Sequence, residues 1–289
     1  MRSDSTERDD RQGGVLWLVA TPIGNLEDIT KRAERVLREA DIVLAEDTRR
    51  TRSLLRALAI DKDHVERLDD HVVRHKLESL VERLLGGARI ALATDAGTPV
   101  VSDPGAVLAR AAIDAGVRVE AIPGPSAVLT ALVASGVTAN GFRFVGFIPR
   151  EGPERQRAIA SIARDELPTV LFESPGRTHD TLSELAAACG AAREAAVARE
   201  LTKLHEEFLR GTLESLAERT AERVLGEVTI VVAGASAAGA AEESTEDAID
   251  RALDASIAAG MKPSDAAREV AKALGMKRAD VYARALQRK

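Results

Sequence analysis

Val15-Leu16-Trp17-Leu18-Val19-Ala20-Thr21-Pro22-Ile23-Gly24-Asn25-Leu26 is the stretch on which the fold turns. Its first part is an unbroken apolar run, as expected of a strand buried on both faces over Val15–Thr21. A proline and glycine loop follows. Asp28–Ala40 then carries Ile29, Ala33, Val36, Leu37 and Ala40 at helical spacing. Strand, tight loop and helix, in that order, form the first unit of an α/β sheet.

The same grammar continues along the chain. Asp41–Asp47, Arg89–Asp95 and Arg118–Pro123 are predicted strands. Thr48–Leu58, Leu77–Leu85 and Gly105–Ala115 are predicted helices between them. Past Pro125 comes a small-residue helix, Ser126–Ser135. Strands are expected at Phe142–Phe147, Pro168–Ser174, Glu194–Glu200, Phe208–Thr212 and Glu227–Ala233, with helices at Pro153–Arg164 and Thr178–Ala188. The second half should hold a mixed sheet, with Glu206–Leu213 and Glu227–Ala233 as an antiparallel pair. The expected plan is a disordered leader over 1–14, α/β domains over 15–124 and 125–234, a linker over 235–246 and a helical module over 247–289. The linker reading rests on Ala235–Glu246, which holds only small and acidic residues.

The chain has 289 residues, enough for two domains. It holds 45% apolar and 30% charged residues, and 40 basic side chains against 46 acidic ones leave a net charge of −6. A surface basic throughout is excluded, but a local basic patch is not. One cysteine, Cys189, excludes an internal disulfide and a cysteine-rich zinc site, and suits a reducing cytosol. Aromatic residues are only 2%, which argues against the stacking platforms of aromatic-rich RNA binders. No apolar run is long enough to span a membrane. Met1–Gly14 lacks the apolar stretch of a secretory signal.

Four loops fall where strands should end: Thr21–Leu26, Asp95–Pro99 continuing to Ser102–Gly105, Pro123–Ala127, and Glu173–Arg177. Ligands of open α/β sheets bind beyond the carboxyl ends of strands. Glycine there permits close backbone approach, and proline fixes the loop shape. Any one loop alone is most simply a turn. Four together predict a site lined by backbone, suited to a neutral or zwitterionic nucleoside. Neither a phosphate-loop signature nor G-x-G-x-x-G is present.

Glu46-Asp47-Thr48-Arg49-Arg50, with Arg52 and Arg56 beyond, ends one strand, and Arg199-Glu200-Leu201-Thr202-Lys203 ends another. Such mixtures can orient a ribose, accept a proton or contact phosphate. They equally describe a solvated face laced with ion pairs. Of the histidines, His71 and His75 alone share helical spacing, without the glutamate or third ligand of a zinc site, so no metal is expected. His71 is expected at a strand end near the cleft, and Cys189 as an inert packed thiol.

The tail differs from the body. Lys262–Lys289 holds eight basic and three acidic residues, a net of +5, so the rest sums to −11. Ala267, Val270, Ala271, Gly275 and Val281 follow helix-turn-helix spacing. A nucleic-acid arm or a small packing module would fit.

Taken in order, Val19–Thr30, Ala45-Glu46-Asp47-Thr48-Arg49, Asp95-Ala96-Gly97-Thr98-Pro99, Pro123-Gly124-Pro125-Ser126, Gly146-Phe147-Ile148-Pro149, Phe172-Glu173-Ser174-Pro175 with Arg177, and Ala198–Lys203 resemble one family. It is the bacterial 16S ribosomal RNA (cytidine 2′-O)-methyltransferases, a branch of the tetrapyrrole methylase superfamily. The resemblance implies two α/β domains with an S-adenosylmethionine cleft between them and a helix-turn-helix-like C-terminal module. It also implies a cytoplasmic homodimer acting on the small ribosomal subunit. It suggests Pro22, Asp95, Gly97, Val101, Ser126, Ala127, Phe172 and Leu201 for the cofactor. Arg49, Arg50, Arg52, Arg177, Lys277 and Arg278 are suggested for RNA. Glu46, Asp47, Glu173, Glu200 and Lys203 are candidates to orient or deprotonate the ribose hydroxyl, Lys203 as a base only if its pKa is depressed. Gly226-Glu227 also matches, but the family commonly places a lysine before it and this chain has Leu225. A tetrapyrrole-type small-molecule methylase and a non-enzymatic RNA-binding relative are the alternatives.

Overall fold

The structure, a computed structural model, describes residues 13–68, 70–99, 105–137, 140–222, 224–235, 253, 256, 261, 263–273 and 281–282. The first sheet comprises β1 (Val15–Val19), β2 (Ile42–Ala45), β3 (Val65–Arg67), β4 (Arg89–Ala93) and β5 (Arg118–Ile122). Its order is β3-β2-β4-β1-β5, and every neighbouring pair is parallel. Parallel neighbours need crossovers, and helices α1 (Lys31–Glu39), α2 (Thr48–Ala57), α3 (Asp70–Leu85) and α4 (Gly105–Asp114) supply them.

The apolar runs pack on both faces. Trp17, Val19, Val43 and Ala91 meet Ala33, Val36 and Leu37 of α1 and Leu55 of α2. Leu16, Leu44, Ile90 and Leu92 meet Leu80 and Leu84 of α3 and Leu108 of α4. Each fully buried leucine contributes about 1.5–3 kcal/mol. The adjacent strands β1 and β4 therefore lead to helices on opposite faces. That reversal opens a crevice at their carboxyl ends.

The second sheet comprises β6 (Arg143–Phe147), β7 (Thr169–Glu173), β8 (Glu194–Arg199), β9 (Glu207–Thr212) and β10 (Val228–Val232), in the order β6-β7-β10-β8-β9. β6 runs parallel to β7, and the other pairs are antiparallel. The sheet is mixed, as expected, but the expected pairing is corrected. β9 hydrogen-bonds β8, while β10 inserts between β7 and β8. Its all-buried burial pattern suits a central strand, whereas β9 is only partly covered. Helices α6 (Gly152–Arg164), α7 (Thr178–Cys189) and α8 (Leu213–Arg219) cover one face. Helix α5 (Ala127–Ser135) covers the other, together with Ile23 from the first loop. The first loop thus enters the core of the second sheet.

Three elements depart from expectation. β3, three residues at a sheet edge, is too short to show a pattern. α8 follows β9 immediately, with Thr212 as its cap, and was hidden by that strand. α3 begins at Asp70, so His71 lies in its first turn and not at a strand end. Cys189 is half-buried, and burial raises its thiol pKa. In the C-terminal segment, α9 (Pro263–Ala273) places Ala266, Ala267, Val270 and Ala271 in a small core with Leu253 and Val281. The linker beyond Ala235, Val101, Lys277 and Arg278 lie outside the described residues.

Candidate active site

The crevice holds a cavity of about 440 Å³. All four loops expected to converge line it: Ile23 after β1, Ala96, Gly97 and Thr98 after β4, Ser126 and Ala127 after β5, and Glu173, Ser174 and Pro175 after β7. Val128, Phe147, Phe172 and Gly226–Thr229 complete the described wall. Gly226 and its neighbours reach this end because β10 is antiparallel, so its start lies beside the end of β7.

Backbone contacts join the loops. Thr21 and Gly97 exchange N–H to carbonyl bonds at 2.9 and 3.0 Å. Gly97 takes φ +82, a conformation that favours glycine. The Thr98 hydroxyl donates to the Pro125 carbonyl at 3.1 Å, and Ser126 caps α5. A Cβ on Gly24 would lie 2.5 Å from Lys203 Cγ, 2.8 Å from Thr202 Oγ1 and 2.9 Å from the Leu201 carbonyl. The first loop therefore rests directly on the loop after β8.

Of the eight cofactor candidates, Gly97, Ser126, Ala127 and Phe172 line the cavity. Pro22 and Asp95 are immediate neighbours of lining residues. Leu201 is buried in the core with Ile23 and Val128, behind the wall.

The five acid–base candidates separate into three places. Glu46 and Asp47 follow β2. Asp47 caps α2 and accepts from the Arg49 backbone and side chain. The Arg49 guanidinium and these hydrogen bonds lower its carboxyl pKa to about 2. Asp95 ties this corner to β4 by accepting from the Asp47 N–H at 3.0 Å. Glu173 is fully buried and accepts from the Ser174 N–H, the Thr181 hydroxyl and Arg177. Glu200 and Lys203 lie beside Glu227. Lys203 Nζ donates to Glu200 Oε1 at 2.9 Å and to Glu227 Oε2 at 3.1 Å. A cation therefore does stand at Gly226-Glu227, supplied by Lys203 from another loop and not by the position that Leu225 holds. Gly226 takes φ +88, where a Cβ would strike the Glu200 carboxylate.

Lys203 fails the condition for a base. Burial lowers its pKa, but the hydrogen bonds to Glu200 and Glu227 outweigh burial and raise it. The hydrogen bond from Lys203 lowers that of Glu200. The pair is charged at neutral pH. The lysine's contribution is full below its ordinary value and is lost as pH rises through the raised one, while that of Glu200 is full above the ordinary carboxylate value and is lost as pH falls through the lowered one. Lys203→Arg, which keeps the cation but cannot act as a base, is expected to retain turnover within about fivefold, the scale of one exposed ion pair. A pH–rate profile should show no lysine limb near neutrality. Abolished turnover in Lys203→Arg would restore the amine as base.

Among the RNA candidates, Arg49 and Arg50 are exposed, and Arg50 lies 3.8 Å from Asp95. Arg52 braces β3 by donating to the Val65 carbonyl at 3.3 Å. Arg177 is held by Glu173 and Ser174. Phe147, Thr98, Val128 and Glu227 were not singled out from sequence. Phe147, Thr98 and Glu227 lie inside the quoted motifs, and that is the signal the sequence offers.

Residues 15–217 match the tetrapyrrole (corrin/porphyrin) methylases, and residues 242–289 match the RsmI C-terminal HTH domain. The ribosomal RNA small subunit methyltransferase I of Mycobacterium bovis is 44% identical over 276 residues, covering 95% of each chain. That of Halalkalibacterium halodurans is 40% identical over 279 residues, covering 96% of this chain and 95% of its own. Among solved structures, the uroporphyrin-III C-methyl transferase of Thermus thermophilus complexed with S-adenyl homocysteine superposes with a TM-score of 0.54. It is 23% identical and covers 76% of this chain and 97% of its own.

Proposed function

Because the chain belongs to the tetrapyrrole methylase family, and within it to the ribosomal RNA small subunit methyltransferase I group, we propose that it transfers a methyl group from S-adenosylmethionine to the 2′-hydroxyl of a cytidine in 16S ribosomal RNA. The observation that carries this reading is the cavity at the switch point of the first sheet, walled by backbone and apolar side chains. Such a wall suits the cofactor. Gly97 and Ala96 offer close backbone approach, Ser126 a hydroxyl, and Ile23, Val128 and Phe172 apolar surface. A triphosphate would call for cations that the described wall lacks.

The cofactor supplies a methyl already activated on a sulfonium sulfur. The chain must hold the ribose oxygen in line and give its proton an acceptor. Two carboxylates line the described cavity. The Glu173 oxygens serve buried partners. Glu227 keeps its side chain 73% exposed and is steadied by Lys203, so we assign the acceptor to Glu227. Glu200 positions Lys203, and Asp47 holds Arg49 at the corner we assign to phosphate.

The exposed Arg49 and Arg50 and the basic C-terminal module support an RNA substrate. Leu129 and Val133, exposed one turn apart on α5, support a homodimer. Division of the chain at residue 124 follows the change from one sheet to the other. Among the described residues no helix is long and apolar enough to cross a membrane. We place the enzyme in the cytoplasm with its ribosomal substrate.

The test uses the full chain, labelled S-adenosylmethionine and small subunits lacking the modification. Label is expected on a cytidine ribose, with or without a chelator. Label on a base, or on a tetrapyrrole and not on RNA, would overturn the reading.

A further inference from the structure

Three of the five phenylalanines meet at one edge of the cavity. The rings of Phe144 and Phe147 both pack on Phe172, with centroids 5.0 and 5.5 Å away and planes at 67° and 55°. Residues three apart on a regular strand point to opposite faces. Phe144 and Phe147 share a face because β6 carries an extra residue. Phe144 pairs with Val170 and Phe147 with Phe172, so a step of two on β7 is matched by three on β6. Gly146 lies in this bulge at φ +66, where a side chain would be strained. Bulges beside active sites commonly serve to aim one side chain.

The ring so aimed is anchored behind and exposed in front. Ile148 is buried in the core under the sheet. The Pro149 carbonyl accepts from Arg155 Nη1 at 3.1 Å, and Arg155 is itself buried and paired with Glu184. Yet Phe147 is 62% exposed, the most of any phenylalanine here. A rigidly held aromatic ring, wet at a cavity edge, offers stacking area at little entropic cost.

We propose that Phe147, lifted by the Gly146 bulge, is the stacking platform for a nucleobase of the RNA substrate, resting on the methyltransferase reading above. The cofactor's adenine has the same flat chemistry. The half-buried Phe172 serves the cavity interior, however, and the exposed Phe147 stands at the edge where a polynucleotide arrives.

The experiment measures KM for the small subunit, kcat, and cofactor Kd by calorimetry, in the full chain and in Phe147→Ala, Phe147→Leu and Phe147→Trp. Loss of one base stack is expected to raise the RNA KM about tenfold or more in the Ala and Leu variants. Cofactor Kd should change by a clearly smaller factor than the RNA KM, because Phe147 is 62% exposed and forms only the outer rim of the wall. Phe147→Trp should restore KM. Leu keeps the apolar bulk and so guards against a folding defect in Ala. A parallel rise in cofactor Kd would assign the ring to adenine and overturn the proposal. So would an unchanged RNA KM while the unsubstituted chain methylates RNA. Absence of RNA methylation by the unsubstituted chain would instead sink the functional reading and this inference together.

Discussion

Glu173→Ala is expected to lower stability by about 3 kcal/mol, the low end for stranding one member of a buried charged pair. The low end applies because Arg177 keeps part of its side chain in water. The Glu173 carboxylate is wholly buried and collects the Arg177 guanidinium, the Thr181 hydroxyl and the Ser174 N–H. Thr181 in turn accepts from Arg155 at 3.0 Å. Removing the carboxylate strands all of these donors at once. Glu173→Gln keeps the shape but not the charge, and should cost about 1–3 kcal/mol, the range for a mispaired buried polar group. Since Ser174 and Pro175 line the cavity, cofactor binding should weaken in both variants, more in Ala. Denaturant unfolding and calorimetry check this. If Glu173→Ala kept full stability and cofactor affinity but lost turnover, Glu173 would be a chemical participant and not an anchor.

Gly24→Val is expected to lower turnover on the order of a hundredfold, alongside a loss of stability. Its new Cβ meets Lys203, Thr202 and the carbonyl of Leu201. The lysine can swing away, but the carbonyl is backbone and must move. Overpacking of this kind costs about 1–3 kcal/mol. The strain falls where the first loop rests on the loop after β8, beside Ile23, so it displaces that part of the cavity wall. A shift of about 1 Å in such a site can cost on the order of a hundredfold in rate. The check is steady-state turnover beside a thermal melt. A lowered melting temperature with normal turnover would show that this contact is structural only.

Much of this site was legible in the sequence because its determinants are local. A proline fixes its own φ, a glycine frees its own, and each of the four loops carried that chemistry at a strand end. All four line the cavity. What stayed hidden depends on pairings distant in sequence. The place of β10 between β7 and β8 is set by burial, not by pattern. The cation at Gly226-Glu227 comes from Lys203 on another loop, where a reading of adjacent residues saw only Leu225. A bulge is a mismatch between two strands, so Phe147 could not be assigned from β6 alone. Low aromatic content was a sound average, but it says nothing of three rings placed together.

The antiparallel run of β10 has one more effect. Its start borders the cavity. Its end leads to Ala233 and Gly234 at the opposite rim, where Ala235 donates its N–H to the Asp165 carbonyl at 2.7 Å. Five residues at about 3.4 Å each set Ala235 roughly 17 Å from the cavity. The two ends of this one strand thus serve different parts of the body, the cavity at one and the Ala235 contact with Asp165 at the other.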